Sequence, residues 1–388
     1  MRRLPPDATT TAAARPARPR RAAGAGLAPA PVPVQAPPRW RAACVAAFLA
    51  TWLATACSAP RPPEESARAL AAPEAPSWPK PPDPPRIRFV RSVAGAADWG
   101  VRKSFFRRVI DVLAGRGEEH FVRPTGVAVQ GRVLYVADPG AHAVWILDAE
   151  RGQQVKVTQA GERTLMSPVA VAARADGAVY VADSVLKQVF LLGRDGALLG
   201  IAAQEGLLQP VGVEFDALGR RLFVADAAAN RVVAFDADGR LVGSRGDPGE
   251  ELGQFNHPTH LSLDLSGNLL VTDALNFRVQ AIDRDGRFLW KLGHHGDGSG
   301  DLAAPKGVAS DVAGHVYVVD ALFDVVQIFT WDGTFLLAFG GHGEGPGQLW
   351  LPNGLCTDNA DRIYVADAYN RRIQVYMSLV DASQEPRR

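Results

Sequence analysis

A segment of the form apolar-Val-x-Asp recurs six times: Tyr135-Val136-Ala137-Asp138, Tyr180-Val181-Ala182-Asp183, Phe223-Val224-Ala225-Asp226, Leu270-Val271-Thr272-Asp273, Tyr317-Val318-Val319-Asp320 and Tyr364-Val365-Ala366-Asp367. The spacings between successive Asp residues are 45, 43, 47, 47 and 47. A proline leads each unit, at Pro124, Pro168, Pro210, Pro258, Pro305 and Pro352. Two independent markers that keep one period define a repeat, and a repeat cannot bury its apolar face without its neighbours.

Within a unit the pattern reads as four short strands. In the fifth, residues 307–310, 315–320, 325–330 and 334–339 are the strands. Asp-Gly pairs at Asp176-Gly177, Asp195-Gly196, Asp238-Gly239, Asp285-Gly286 and Asp332-Gly333 supply the positive φ of tight hairpin turns. Gly-rich connectors such as 340–348 return the chain to the next unit. Four antiparallel strands in roughly 40–50 residues is the period of a β-propeller blade. The expected fold is therefore all-β, a six-bladed propeller of four-stranded antiparallel blades.

The last unit stops after its third strand. Upstream of the first, Arg86-Ile87-Arg88-Phe89-Val90-Arg91-Ser92-Val93 alternates as a strand. It is expected to complete the sixth blade and close the ring. Residues 86–380 then form one domain, with 381–388 as a disordered tail.

The units resemble the NHL-repeat family. Its pattern runs Pro-x-Gly-Val-Ala, aromatic-Val-Ala-Asp, Asn-x-Arg and a Gly-rich return. The sixth unit keeps it best, with Pro352-Asn353-Gly354, Tyr364 to Asp367, Asn370 and Arg372. The fourth keeps Asn276 and Arg278 and the third keeps Arg231, whereas the first and fifth have Ala143 and Val325 at the Arg position. The resemblance covers about residues 121–377. It implies the fold and says little about function, because sites are grafted onto folds.

The head of the chain is of another kind. Residues 1–56 carry eight Arg and one Asp, a net +7. Residues 57–388 carry 34 Lys+Arg against 40 Asp+Glu, a net −6. The overall +1 is the sum of a basic head and an acidic body. Residues 42–56, AACVAAFLATWLATA, carry no charge and follow Arg39 and Arg41. Fifteen residues are short for a bilayer span, which needs about 20, and suit the apolar region of an export signal. The run ends Leu53-Ala54-Thr55-Ala56-Cys57-Ser58. This resembles a bacterial lipobox, although the family prefers Leu where Ala54 stands. The resemblance implies a signal peptide over 1–56, lipidation at Cys57 and release by Ser58 to the outer membrane, on its periplasmic or surface side. An ordinary cleaved signal and an uncleaved anchor are the alternatives.

Residues 58–85 hold ten prolines, so 57–85 is expected to be a disordered, extended spacer. Cys356 is the one cysteine of the body and cannot form an internal disulfide. Residues 98–120 read as a helical insertion with an apolar face and a basic side of Arg102, Lys103, Arg107 and Arg108. Its role is either a plug on the propeller or a contact with a partner or membrane surface.

The recurring Asp residues are expected to hold turn backbone, not to catalyse. Candidate binding residues are those that break the repeat on one face. Four positions after each Asp stand His142, Lys187, Asn230, Phe277, Asp324 and Arg371. Two positions after each Pro the residue is Gly or Ala, except His260. His257, Lys306, Asn353 and Arg123 occupy nearby equivalent loops. His294-His295 is expected to be solvated. The NHL resemblance also implies a metal held by channel histidines in its lyase members. Here His257 and His260 supply at most two ligands for zinc or calcium, with His142 or His120 as a third. The acidic body excludes a nucleic-acid binder. The expected function is a monomeric, lipid-anchored, non-catalytic scaffold that binds a protein, peptide or glycan and needs no cofactor. The alternative is a metal-dependent lyase or hydrolase at the channel mouth.

Overall fold

The computed structural model describes residues 75–101 and 119–380. The expectations for 1–74, for most of the helical insertion (102–118) and for the tail (381–388) lie outside the described residues. Among the described residues, no helix is long and apolar enough to cross a membrane.

The six units fold as six blades of antiparallel strands, ordered from the axis outward. The fifth runs Pro305–Ser310, Val316–Asp320, Val325–Phe329 and Phe335–Gly340, as the turn chemistry predicts. Six apolar clusters stand between neighbouring blades. One packs Tyr135, Ile146 and Val144 of the first blade on Val171, Val181 and Phe190 of the second. Another packs Tyr364 and Val375 of the sixth blade on Val136 and Trp145 of the first. Side chains on both faces of every blade are therefore apolar, and the ring holds itself by packing.

Closure follows the expected route. Ile87–Val93 pairs antiparallel with Arg372–Ser378, with Ile87 opposite Ser378 and Val93 opposite Ile373. Sheet order in this blade runs from the innermost Pro352–Thr357 through Arg362–Asp367 and Arg372–Ser378 to the N-terminal strand. A fifth strand was not expected. Ser77–Trp78 pairs with Ile87 and Arg88, inside the segment read as spacer. Trp78 lies 5.9 Å from the Tyr376 ring and 6.0 Å from Phe339, so apolar contact holds it despite the surrounding prolines. The spacer reading is corrected from residue 75 onward. The start of the insertion also packs inward, since Trp99 is buried at the interface of the sixth and first blades and donates to the Arg132 carbonyl at 3.0 Å.

All six repeat aspartates are fully buried at the ends of their strands. Each carboxylate accepts one or two backbone N–H groups from the two residues before the leading proline of its own blade. Asp138 accepts from Val122 and Arg123 at 2.8 and 2.9 Å, and Asp320 from Ala303 and Ala304 at 2.7 and 3.1 Å. These bonds satisfy amides that no strand partner reaches. In the fourth and sixth blades the Asn-x-Arg pair completes a clamp. Arg278 Nε donates to Asp273 at 2.8 Å while its other nitrogens donate to the carbonyls of Glu250, Glu251 and Gln254. Asn276 bridges Asp273 and Gly249. The repeat motif therefore fastens the return loop to the blade.

Candidate functional site: one face and the channel behind it

Strand pairing fixes which residues share a face. Pro168 stands opposite Asp183, Pro210 opposite Asp226, Pro258 opposite Asp273, Pro305 opposite Asp320 and Pro352 opposite Asp367. The loops before each Pro and after each Asp therefore meet at one end of the ring, called the Pro face below.

All six residues four places after the Asp adopt the left-handed region, with φ between 48° and 58°. They form the corner from a single turn into the third strand. Their side chains serve three purposes. Asn230 accepts from the His257 amide at 2.7 Å, and Asp324 accepts from the Leu351 amide at 2.7 Å. Each thus ties its blade to the next loop, and both receiving residues are themselves left-handed, at φ 58° and 48°. His142 Nδ1 donates to the Met166 carbonyl at 2.5 Å, again across blades. Phe277 stacks on His295, with centroids 4.2 Å apart. Lys187 and Arg371 stand exposed. Arg123 is exposed on the Pro face, with its amide held by Asp138.

Four of the predicted residues come together at the channel mouth. His257, His260, Lys306 and Asn353 enter from three consecutive blades. The innermost strands approach closely here: a Cβ on Gly307 would lie 2.6 Å from Leu355 N, and one on Gly354 would lie 2.5 Å from Thr125 O. Five blades carry Gly or Ala at this height, and His260 takes the space they leave. Burial, with the Lys306 charge beside it, pulls the His260 imidazole down to about 3 against a weaker upward effect of Asn353. Burial and Lys306 also lower His257, and burial lowers Lys306. Both imidazoles are held neutral beside a lysine that forms no ion pair among the described residues. Thr259 Oγ1 and His260 Nδ1 are buried without a hydrogen-bond partner.

Around this mouth lie apolar side chains that water reaches. Val122, Met166 and Leu208 stand two places before the leading Pro, and Val185, Leu275, Leu322 and Tyr369 stand two places after the Asp. With Leu351 they are between 45% and 65% exposed. The two sets are neighbours: the Leu275 amide donates to Asn256 O, and the Tyr369 amide to Trp350 O. Trp350 and Tyr369 stack at 4.5 Å, and His342 packs on Trp350 while pairing with Asp324 at 2.7 Å. This apolar ring went unread because each member is an isolated hydrophobe in a loop. The signal was present, as apolar residues recurring at fixed offsets from the Asp and the Pro.

Behind His260 runs a cavity of about 300 Å³. Its wall starts at the residues two places after each Pro and continues to the turns at the opposite end, Leu265, Val312 and Asn359 among them. Four places after the Pro, the wall carries Ala128, Ala172, Glu214, Ser262, Ala309 and Cys356. Sequence reasoning missed Glu214, the one carboxyl in that row, because the row already varies between Ala, Ser and Cys. Burial pushes Glu214 up to about 7, and the Cys356 thiol is raised by burial and by Asp358 and Glu214.

Among the described residues no three His, Cys, Asp or Glu side chains are placed to hold a metal ion. His142 is engaged with Met166 in another blade, and the His257–His260 pair gains no third ligand. His294, mostly exposed, pairs with Asp301 at 2.6 Å.

Comparison with known proteins agrees with the architecture. Residues 349–376, the sixth unit, match the NHL repeat model. No curated protein matches the sequence. Among solved structures, a structural genomics protein of unknown function from Bacteroides thetaiotaomicron superposes with a TM-score of 0.53 at 18% identity, over 66% of this chain and 70% of that one. Virginiamycin B lyase from Staphylococcus aureus gives 0.50 at 14% identity, over 67% of this chain and 96% of that one. An auxiliary nutrient binding protein from B. thetaiotaomicron gives 0.50 at 16% identity, over 66% and 69%. At these identities the likeness extends to the fold.

Proposed function

We infer that this NHL-repeat β-propeller is a non-catalytic scaffold that holds a protein or peptide partner on its Pro face. The observation that carries the reading is the apolar ring, eight exposed side chains around one mouth, seven of them at two repeated offsets. Exposed apolar groups arranged contiguously mark interaction surfaces, whereas scattered ones do not. The opposite end exposes Leu218, Leu265, Val312 and, on an outer hairpin turn, Trp331. At the centre of the ring, Lys306 stands half-buried with no acidic partner among the described residues. A partner that sets apolar side chains on the ring and one carboxylate over Lys306 would satisfy both. The Trp350–Tyr369 stack offers the large amphipathic surface that interface hot spots favour.

The same reading places the protein in a bacterial envelope, anchored through acyl chains on Cys57, with the Pro-rich segment as a tether. It works as a monomer, since no blade needs a second copy to complete it.

Photocrosslinking in the native envelope tests the reading. A photoreactive residue at Leu322 or Tyr369 is expected to give a discrete adduct, and one at Leu218 is not. A Leu275→Asp/Leu322→Asp double variant should remove the adduct made from Tyr369. Equal crosslinking from Leu218, or none from either Pro-face position, overturns the proposal.

A further inference from the structure

We propose that the channel cavity is a separate binding site for a small organic cation, a primary ammonium compound with a compact apolar body, and that Glu214 is its counter-ion. The proposal does not depend on the partner-binding reading, because the cavity opens at the other end of the ring.

The chamber has a size and a sign. At about 300 Å³ it lies at the small end of the range for ligand pockets, roughly 300–1,000 Å³. Ala and Val side chains, including Ala128, Val129, Ala172, Ala173 and Ala309, line part of it, beside backbone and polar groups that present the greater surface. Leu265 and Val312 form an apolar lip at the open end. Three chemically active groups reach the interior: the Glu214 carboxyl, the Cys356 thiol and the His260 ring. Glu214 Oε1 accepts from the Phe215 amide at 3.2 Å, and no Lys or Arg among the described residues pairs with the carboxyl. His260 lies beside Asn353, which raises its basicity, and its Nδ1 is buried without a hydrogen-bond partner. The interior thus offers acceptors and lacks strong donors.

Asp216, two places after Glu214 on its strand, is paired with Arg284 at 3.2 Å, and Cys356 faces Glu214 from the sixth blade. Asp264, Asp311 and Asp358 ring the open end. Turn amides engage their oxygens, as in Ser266 N to Asp264 and Ala313 N to Asp311, and Asp311 also pairs with His315 at 2.8 Å and Asp358 with Arg362 at 3.9 Å. Lys306 is not part of the cavity wall, which starts at the level of His260. No Lys or Arg lines the cavity, whereas carboxyl groups stand both inside it and at its rim. A neutral apolar molecule would leave Glu214 without a partner in a site of low dielectric, where a charge-assisted hydrogen bond is strongest. An ammonium group supplies the missing charge, and the alanine wall takes its hydrocarbon.

The protonation state makes this measurable. With the cavity free of cation, Glu214 titrates near 7 because burial disfavours its charge. A bound ammonium favours the carboxylate, so binding at pH 7 releases protons and affinity falls as pH drops below 7.

Isothermal titration calorimetry on the full chain, using ethylamine, butylamine and benzylamine against ethanol, butanol and benzyl alcohol, tests the site. At least one amine is expected to bind one to one, at least about tenfold tighter than its alcohol. Its affinity should fall between pH 8 and pH 5.5, and its heat at pH 7 should vary with buffer ionisation enthalpy. Glu214→Gln keeps the volume and should abolish the preference for amine. Absence of binding by every amine, equal binding of amine and alcohol, or an unchanged preference in the Gln variant overturns the proposal. Should that variant fail to fold, alkylation of Cys356 in the unmodified protein reads the same cavity. Protection by the amine and not the alcohol supports the site, and equal or no protection overturns it.

Discussion

Six buried carboxylates in equivalent places have unequal partners, and the inequality should appear in stability. Asp273 is bound by Arg278, whose side chain is only 7% exposed and whose remaining nitrogens hold three carbonyls of the return loop. Asp226 meets Arg231 at 3.6 Å, with the guanidinium 32% exposed. Removing Arg278 would strand a buried charge and three acceptors. Arg278→Ala is therefore expected to cost about 3 kcal/mol, and Arg231→Ala about 1 kcal/mol or less, in urea unfolding. Equal losses would mean that the clamp adds nothing to an ordinary surface pair. At this scale the sequence was informative wherever the repeat is kept. Asn276, Arg278, Asn370 and Arg372 could be assigned to the motif before their hydrogen bonds were seen. It was less informative where the repeat breaks. His260 stood out because Gly and Ala surround it in the alignment of units, whereas Glu214 sits in a row that already varies between Ala, Ser and Cys. That both face one cavity, and that Asn230 and Asp324 hold neighbouring loops, depends on contacts across blades. Spacing within one unit does not contain that information.

At the scale of elements, the N-terminal strand was readable because Ile87, Phe89, Arg91 and Val93 alternate with their neighbours and because the last unit lacked an outer strand. The observed pairing contains an irregularity between Phe89 and Arg91, where one residue is left over, so Arg91 faces Val375. A strict alternation could not predict that bulge. The Ser77–Trp78 strand was hidden by composition. Prolines flank it on both sides, and a Pro-rich stretch reads as spacer until a tryptophan finds an apolar pocket. These two elements have separable effects. A variant beginning at residue 98 loses the fully buried Ile87 and Val93 with the entire outer strand. Burying each such side chain contributes about 1.5–3 kcal/mol, so its melting temperature should fall by about 10 °C or more. A variant beginning at residue 80 loses the Trp78 contacts alone and should fall by less. If the first variant melts as the unshortened protein does, the strand does not close the ring.

For the whole molecule, the consequence of closure is cooperativity without covalent help. Cys356 is free, and each apolar cluster joins two adjacent blades. In an open repeat array each unit leans on its neighbours, and the terminal repeats, with one neighbour each, are the first to open. Here both ends of the propeller lie in one blade, and that blade contacts the first through Tyr364, Val375 and Trp145 and the fifth through Tyr317, Val365 and Tyr376. No blade lacks a neighbour, so no blade should fray. Native-state hydrogen exchange in low urea distinguishes the two architectures. Amides of Ile87–Val93 and Arg372–Ser378 are expected to exchange with the same free energy as those of Arg221–Asp226 in the third blade, opposite them in the ring order. Both groups should follow the global unfolding transition. Exchange of the closing strands several kcal/mol below the global value would show a latch that opens while the other blades stay folded. The molecule would then behave as a curved solenoid with a fastened end. The strand register argues for the ring, because the closing strand runs the full length of its partner, from Ser378 to Ile373, and brings Ala96 and Trp99 into the next interface. Opening it would expose two blade interfaces together, at a cost comparable to unfolding a blade anywhere else.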